Sequence, residues 1–471
     1  MLFSSLEFLF LFLPFCLLAY YISPSKARNI VLLVFSLLFY GFGEPIYLFL
    51  MIGTLLANWF FGMLIEKYSE QKRAARAVLV SAVAFNLLLL AFFKYYDFLT
   101  LRLNFAEPLG LSLPIGISFY TFQALSYVID IYRLEARSAP SPLLPATYVT
   151  LFPQLIAGPI IKYNDLEGQL KKRTLSLTQI ACGIRRFSVG LSKKVLLANT
   201  AGELWSDFCT SFSRTGSDTL GAWLGVIFFA FQIYFDFSGY SDMAIGLGKL
   251  FGFDFPENFN YPYVSKSITE FWRRWHITLS SWFRDYVYIP LGGNRRGKTR
   301  TYLNLFVVWS LTGLWHGAGI NFLLWGIYFF LLLSLEKLFL LKLLCKLPDF
   351  VGHLYALLAI LFGWLIFAAD GSASSLTPAL ALECAKTMFG IGAPLFSDLS
   401  LYELKRNTLP LILMTAASLP CFAKLSRRAL SSDRFMGFPA LALNTASILI
   451  FFVSVAYLVN SGYNPFLYFR F

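Results

Sequence analysis

The chain has 471 residues, of which 57% are hydrophobic, 18% aromatic and only 14% charged, with a mean hydropathy of +0.63. These values exclude a soluble multidomain enzyme, because no polar stretch is long enough to make a soluble α/β domain. The net charge of +13 lies in short Lys and Arg clusters between apolar runs, where it sets membrane topology rather than binding nucleic acid.

The N-terminal stretch "MLFSSLEFLFLFLPFCLLAYYISPSKARN" carries no basic residue before its apolar run, and has Lys26 and Arg28 after it. A cleavable signal peptide has the opposite charge order, so a retained first span with an extracytoplasmic N-terminus is expected. Crossing the hydrocarbon core takes about 20 apolar residues, and suitable runs begin near residues 5, 29, 46, 77, 113, 220, 303, 320, 350, 408 and 440. The expected fold is an all-α polytopic membrane protein with roughly ten to twelve membrane helices. Basic clusters follow the first span, the third (Lys67, Lys72, Arg73, Arg76) and the fifth (Arg133, Arg137). The turn "GFGEP" between the second and third has none, which puts odd-numbered loops in the cytoplasm.

Residues 143–200 and 252–302 mix aromatics, Pro, Gly and basic residues and read as cytoplasmic, interfacial or re-entrant pieces. Irregular backbone at membrane depth needs protein or a water-filled cavity around it, so two such regions imply an enclosed cleft or tunnel. Residues 371–407, polar and broken, read as an extracytoplasmic excursion. With no internal repeat or linker, a single integral domain over residues 1–471 is the simplest organisation. The six cysteines lack CxxC pairs and metal-ligand spacing and read as inert buried thiols. No metal set and no GxSxG elbow is present.

"LFPQLIAGPIIKY", with Gln154, reads as a broken helix beside a cavity. In the apolar run of residues 223–250 stand Asp236, Ser238, Tyr240 and Asp242. Carboxylates there must be paired, hydrogen-bonded or protonated, and Arg partners from the basic segments would complete a network that is either structural or substrate-lining. Treated as one helix, residues 271–286 put Phe271, Trp275, Leu279, Trp282 and Tyr286 on one face. His276 then lies about 100° round, towards Arg273, Ser280 and Arg284. Such a helix lies on the membrane surface, aromatic side down. It is either a basic anchor or a cationic mouth that draws an anionic donor towards His276.

"GGNRRGKT" (292–299) satisfies the nucleotide phosphate-loop pattern letter for letter, after a strand-like "DYVYIPL". That chemistry also needs a parallel sheet, a helix starting at Lys298 and an acidic metal ligand. The better reading is a basic cytoplasmic turn between the two histidine-bearing segments. His316, in "SLTGLWHGAGINF", sits where an apolar run breaks beside Gly317 and Gly319. An ionisable group at such depth is costly and marks function by default. A neutral imidazole, with an ordinary pKa of about 6.5, can take a proton from an attacking hydroxyl. His353 stands at a span end and reads as structural.

Several long motifs in fixed order, "LPIGISFYTFQALSYVIDIYR", "FPQLIAGPIIKY", "YFDFSGYSDMAIGLGKLFGFDFPENFNYPY", "SITEFWRRWHITLSSWFRDYVYIPLGGNRRG", "LTGLWHGAGINFLLWGIYF" and the terminal "SGYNPFLYFRF", resemble the membrane-bound O-acyltransferase family. The likeness runs nearly end to end and points to the bacterial branch that includes the membrane subunit for alginate O-acetylation. The resemblance implies helices ringed around a tunnel, with His316 of "LWHG" catalytic and His276 of "RWH" its partner. Trp315, Asn258, Arg273, Arg274, Trp275 and Arg284 fall in the same motifs and join Gln154, Asp236, Ser238, Tyr240 and Asp242 as substrate- or tunnel-lining candidates.

It further implies no permanently bound cofactor, with acetyl-CoA or an acylated carrier as donor substrate. The acyl group, taken as acetyl, would cross the bacterial inner membrane to an extracytoplasmic polysaccharide. A separate extracytoplasmic acetyltransferase and the polysaccharide synthesis machinery are the implied partners, beside the lipid bilayer and without nucleic acid. The alternative within the family is D-alanyl transfer to teichoic acid. Outside it stands a transporter or flippase, since broken helices with polar groups at mid-membrane also mark carriers.

Overall fold

The computed structural model describes residues 1–104, 106–370, 376–430, 438–462 and 464–467. Among the described residues every regular element is helical. Each of the eleven expected run starts falls in or beside a helix. Among the described residues five helices are long and apolar enough to cross a membrane, and further apolar runs fold into helices of 10–17 residues such as Phe8–Ile22, Arg28–Gly43 and Thr408–Ala417. The chain divides into two compact units, residues 1–187 with 240–256, and residues 188–239 with 257–471.

The first unit holds α1 (Phe8–Ile22), α2 (Arg28–Gly43), α3 (Tyr47–Lys67), α4 (Lys72–Leu103) and α5 (Ile117–Tyr132). Long apolar runs make these helices, and buried polar pairs fix how they meet. Asn58 on α3 and Asn86 on α4 exchange amide hydrogen bonds of 3.1 and 2.7 Å, the kind of side-chain bond that joins helices in lipid. Between residues 143 and 171 the chain breaks into helices Leu143–Thr150, Phe152–Leu155 and Tyr163–Lys171, as its composition implied. Gln154 is buried there and donates to the Tyr148 carbonyl.

The helix α6 (Thr219–Leu250) supplies residues to both units, up to Gly239 for the second and from Tyr240 for the first. The second unit continues with α7 (Ile268–Arg274), α8 (Ile277–Phe283), α9 (Lys298–His316), α10 (Ile320–Leu335), α11 (Asp349–Ala368) and α12 (Phe438–Asn460). Its core is aromatic, with Trp272, Trp275, Trp309, Trp325 and Trp364 among its members. Glycines let α9 and α10 pack backbone to backbone. A methyl group on Gly313 would stand 2.4 Å from the Phe322 carbonyl oxygen, and one on Gly326 2.4 Å from that of Trp309.

A buried ion pair closes the same unit. Lys194 Nζ lies 2.7 Å from Asp236 Oδ1, both side chains almost wholly enclosed. Asp236 Oδ2 accepts the Leu467 N–H at 2.7 Å, and Lys194 also donates to the Pro465 carbonyl. The terminal motif therefore returns into the core, while Tyr463 and residues 468–471 lie outside the described residues. Of the expected excursion, residues 371–375 also lie outside them. The rest forms helices Pro378–Met388 and Asp398–Arg406, tied to the start of α6 by Thr219 N–H to Pro394 O and Trp223 Nε1 to Met388 O.

Three sequence expectations are corrected. Residues 271–286 do not form one helix: the chain breaks at Trp275 and His276 between α7 and α8. "DYVYIPL" is a helical turn followed by tight turns, so α9 does begin at Lys298 but follows no strand, and the phosphate-loop setting is missing. Cys16, Cys209 and Cys384 are buried, whereas Cys345 and Cys421 are exposed.

Candidate active site

His276 occupies a left-handed turn, φ 43° and ψ 52°, a conformation that costs energy for any residue with a Cβ. Two distant residues hold the turn. Glu336, buried beyond the end of α10, accepts Ile268 N–H at 2.6 Å, Thr269 N–H at 2.8 Å and the Thr269 hydroxyl at 2.6 Å, which caps the start of α7. Asn258 takes the other side: its carbonyl accepts Ile277 N–H at 3.0 Å. Its Oδ1 accepts Thr278 N–H at 3.3 Å and the Thr278 hydroxyl at 2.8 Å, and lies 3.1 Å from His276 Nδ1. The first amide groups of α8, which no helical partner can satisfy, are thereby met.

The His276 ring is 2% exposed. Burial disfavours the charged imidazolium and holds its pKa well below the usual 6.5. Phe237 on α6 meets it edge to face at 4.6 Å. Its Nε2 has no hydrogen-bond partner among the described residues.

His316 is the last residue of α9, in the break before α10, and is 8% exposed. Aromatic rings surround it: Trp325 at 5.0 Å, Phe367 at 5.1 Å and Phe322 at 6.5 Å between centroids. A side chain at Gly317 would collide with the Phe322 ring at 2.2 Å, so this box needs its glycine. Asn321 Nδ2 donates to the Phe367 carbonyl at 3.0 Å and ties α10 to α11 behind it.

The two histidines flank one side chain. Trp315 lies 6.0 Å from the His276 ring and 4.8 Å from that of His316. Trp275 stands in the adjoining cluster, 4.8 Å from Trp364, and Ser238 is buried on α6 one residue from Phe237. Asp236 is committed to Lys194. Arg274 pairs with Glu270 at 2.8 Å and Arg284 with Asp285 at 2.7 Å, while Arg273 is exposed. Gln154, Tyr240 and Asp242 belong to the first unit. There Tyr240 stacks on Phe3 at 4.5 Å and Asp242 pairs with Arg186 at 2.7 Å. His353 meets the Ser265 carbonyl at 3.2 Å.

Glu336 and Lys194 were not singled out by sequence reasoning. Glu336 left a signal, as an isolated carboxylate in "LLLSLEKLFLL", where an ionisable group in an apolar run marks a buried role. Lys194, within a basic cluster, left none.

The membrane-bound O-acyltransferase family matches residues 133–369, half of the chain and both histidines. A Pseudomonas aeruginosa protein named "Probable alginate O-acetylase AlgI" is 37% identical over 529 aligned positions that cover all of both chains. The chain belongs to the membrane-bound O-acyltransferase family. A Helicobacter pylori "Peptidoglycan O-acetyltransferase" is 36% identical over 85% of this chain and 82% of its own. A Bacillus subtilis "Teichoic acid D-alanyltransferase" is 28% identical over 59% of this chain and 73% of its own. This member of the family is an acyltransferase and a multi-pass membrane protein.

Proposed function

We propose that this acyltransferase takes an acetyl group from a cytoplasmic donor, acetyl-CoA or an acylated carrier, and passes it across the bacterial inner membrane for O-acetylation of an extracytoplasmic polysaccharide. The observation that carries this reading is the pair of buried histidines on either side of Trp315, inside the region matched to the family. In this reading the helices of the single integral domain enclose a tunnel, with the N-terminus outside. The donor enters on the side bearing exposed Arg273, Arg295, Arg296 and Lys298, whose charge attracts phosphate groups.

His316 is the base. As the attacking hydroxyl oxygen bonds to the thioester carbonyl carbon, its proton moves to the imidazole. The tetrahedral intermediate collapses with cleavage of the C–S bond, and the imidazolium returns the proton to the leaving thiolate. The products are an O-acetyl ester and a free thiol. His276 and Trp315 orient the reactants, and a separate extracytoplasmic acetyltransferase completes delivery to the polymer.

D-alanyl transfer to teichoic acid has less support, because that relative matches a smaller part of the chain than the O-acetylating ones. The test is His316→Ala, with surface-polymer O-acetyl content measured at a matched level of membrane protein. Acetylation is expected to fall by about 10²- to 10⁴-fold. Retained acetylation overturns the reading.

A further inference from the structure

We infer that Asn258 is a positioning residue that locks His276 in the Nδ1–H tautomer, so that Nε2 presents a lone pair to a hydroxyl of the acyl acceptor. The inference rests on His276 being the partner of His316, and it settles which of two opposite tasks His276 performs. An Nε2–H would donate to the thioester carbonyl. An Nε2 lone pair can only accept.

The Thr278 backbone N–H can donate and cannot accept, so the Asn258 side-chain atom 3.3 Å from it is the oxygen. A flipped amide would set its NH₂ against that N–H. His276 Nδ1 faces the same oxygen at 3.1 Å, and a ring nitrogen facing an acceptor must carry the hydrogen. Burial keeps the ring neutral, so only one nitrogen is protonated and Nε2 is left bare.

Asn258 also secures the ring's direction. Its carbonyl and its side-chain oxygen take the N–H groups of residues 277 and 278, pinning the left-handed turn from which the imidazole projects. One residue thus fixes the backbone angle, the ring and the proton. Nε2 then stands as a buried polar atom without a partner among the described residues. Such atoms are rare in native proteins and call for a ligand or a water. Trp315 stands between this ring and that of His316, so the His276 imidazole belongs to the same aromatic cluster as the proposed base.

The chain contains only three histidines, which makes the tautomer directly observable. Selective ¹⁵N-histidine labelling of the purified full-length protein gives three rings, and His276→Gln identifies the one of interest by difference. Wild-type His276 is expected to show a protonated Nδ1 and an unprotonated Nε2. Asn258→Leu, which removes the acceptor oxygen, is expected to shift that ratio and lower O-acetylation by about tenfold or more, towards the level of His276→Gln. Asn258→Asp keeps acceptor oxygens and is expected to restore both the tautomer and most of the activity.

An Nε2–H tautomer or an imidazolium in the wild type overturns the proposal, as does an unchanged His276 spectrum with unchanged acetylation in Asn258→Leu. If the leucine variant does not fold, the wild-type spectrum and the aspartate variant still decide. The wild-type spectrum does not depend on the reaction, so its outcome is separate from that of His316→Ala, which judges the acyl-transfer reading alone.

Discussion

His276 and His316 share a tryptophan, yet the contacts described around them differ in kind. Around His276 the restraints are directional: Asn258 and Glu336 aim oxygens at named N–H and O–H groups on either side of a left-handed turn. Around His316 the neighbours are rings, with Trp325, Phe367 and Phe322 enclosing the imidazole at the end of α9. Directed bonds fix a proton and an angle. Ring packing fixes a place and lines it with apolar surface, which strengthens any charge interaction formed there. The two histidines should therefore respond differently to substitution, the ring box through stability and the polar latch through chemistry.

The largest effect on stability is expected at Trp325. This side chain is 1% exposed and touches His316, Trp309, Phe329 and Phe367. Trp325→Ala leaves a cavity at the box and is expected to cost about 3–5 kcal/mol, read as a large drop in unfolding temperature in detergent together with lost acetylation. An unchanged unfolding temperature would mean that the rings do not hold His316. Glu336→Gln comes next. It keeps the shape of the side chain but turns an amide N–H towards groups that are themselves donors, at a cost of about 1.5–3 kcal/mol. The expected signature is a moderate fall in unfolding temperature with reduced acetylation, because α7 leads directly into Trp275 and His276. Full acetylation in this variant would separate the cap from the histidine turn.

The ring box was the more legible of the two in sequence. Its apolar run, the break at "WHGAG" and the glycines beside it are local signals, and each apolar run read from hydropathy begins in or beside a helix. The latch was not legible. Four aromatic residues and Leu279 at helical spacing made residues 271–286 look like one amphipathic helix, and no Pro or Gly stands at the break. What breaks the helix is supplied from elsewhere, by Asn258, 18 positions before His276, and by Glu336, 68 positions after Ile268. Local periodicity carries no trace of partners at those separations. The carboxylates of α6 repeat the lesson. Asp242 found an arginine, Arg186, as expected for its kind, whereas Asp236 found Lys194 and the returning C-terminal segment.

The finest cut through the comparison is Thr278→Val. The Thr278 hydroxyl is one of three donors on Asn258 Oδ1, at 2.8 Å, beside the Thr278 N–H and His276 Nδ1. Valine removes that donor at nearly constant volume and leaves the other two, so the oxygen stays satisfied and the tautomer of His276 stays fixed. The expected cost is about 1 kcal/mol, seen as a small drop in unfolding temperature and no more than about a fivefold loss of O-acetylation. If Thr278→Val were as damaging as His276→Gln while the His276 spectrum was unchanged, the hydroxyl would have a task beyond the latch. If it altered the spectrum as strongly as Asn258→Leu, the restraint on His276 would be a shared network rather than the single oxygen of Asn258.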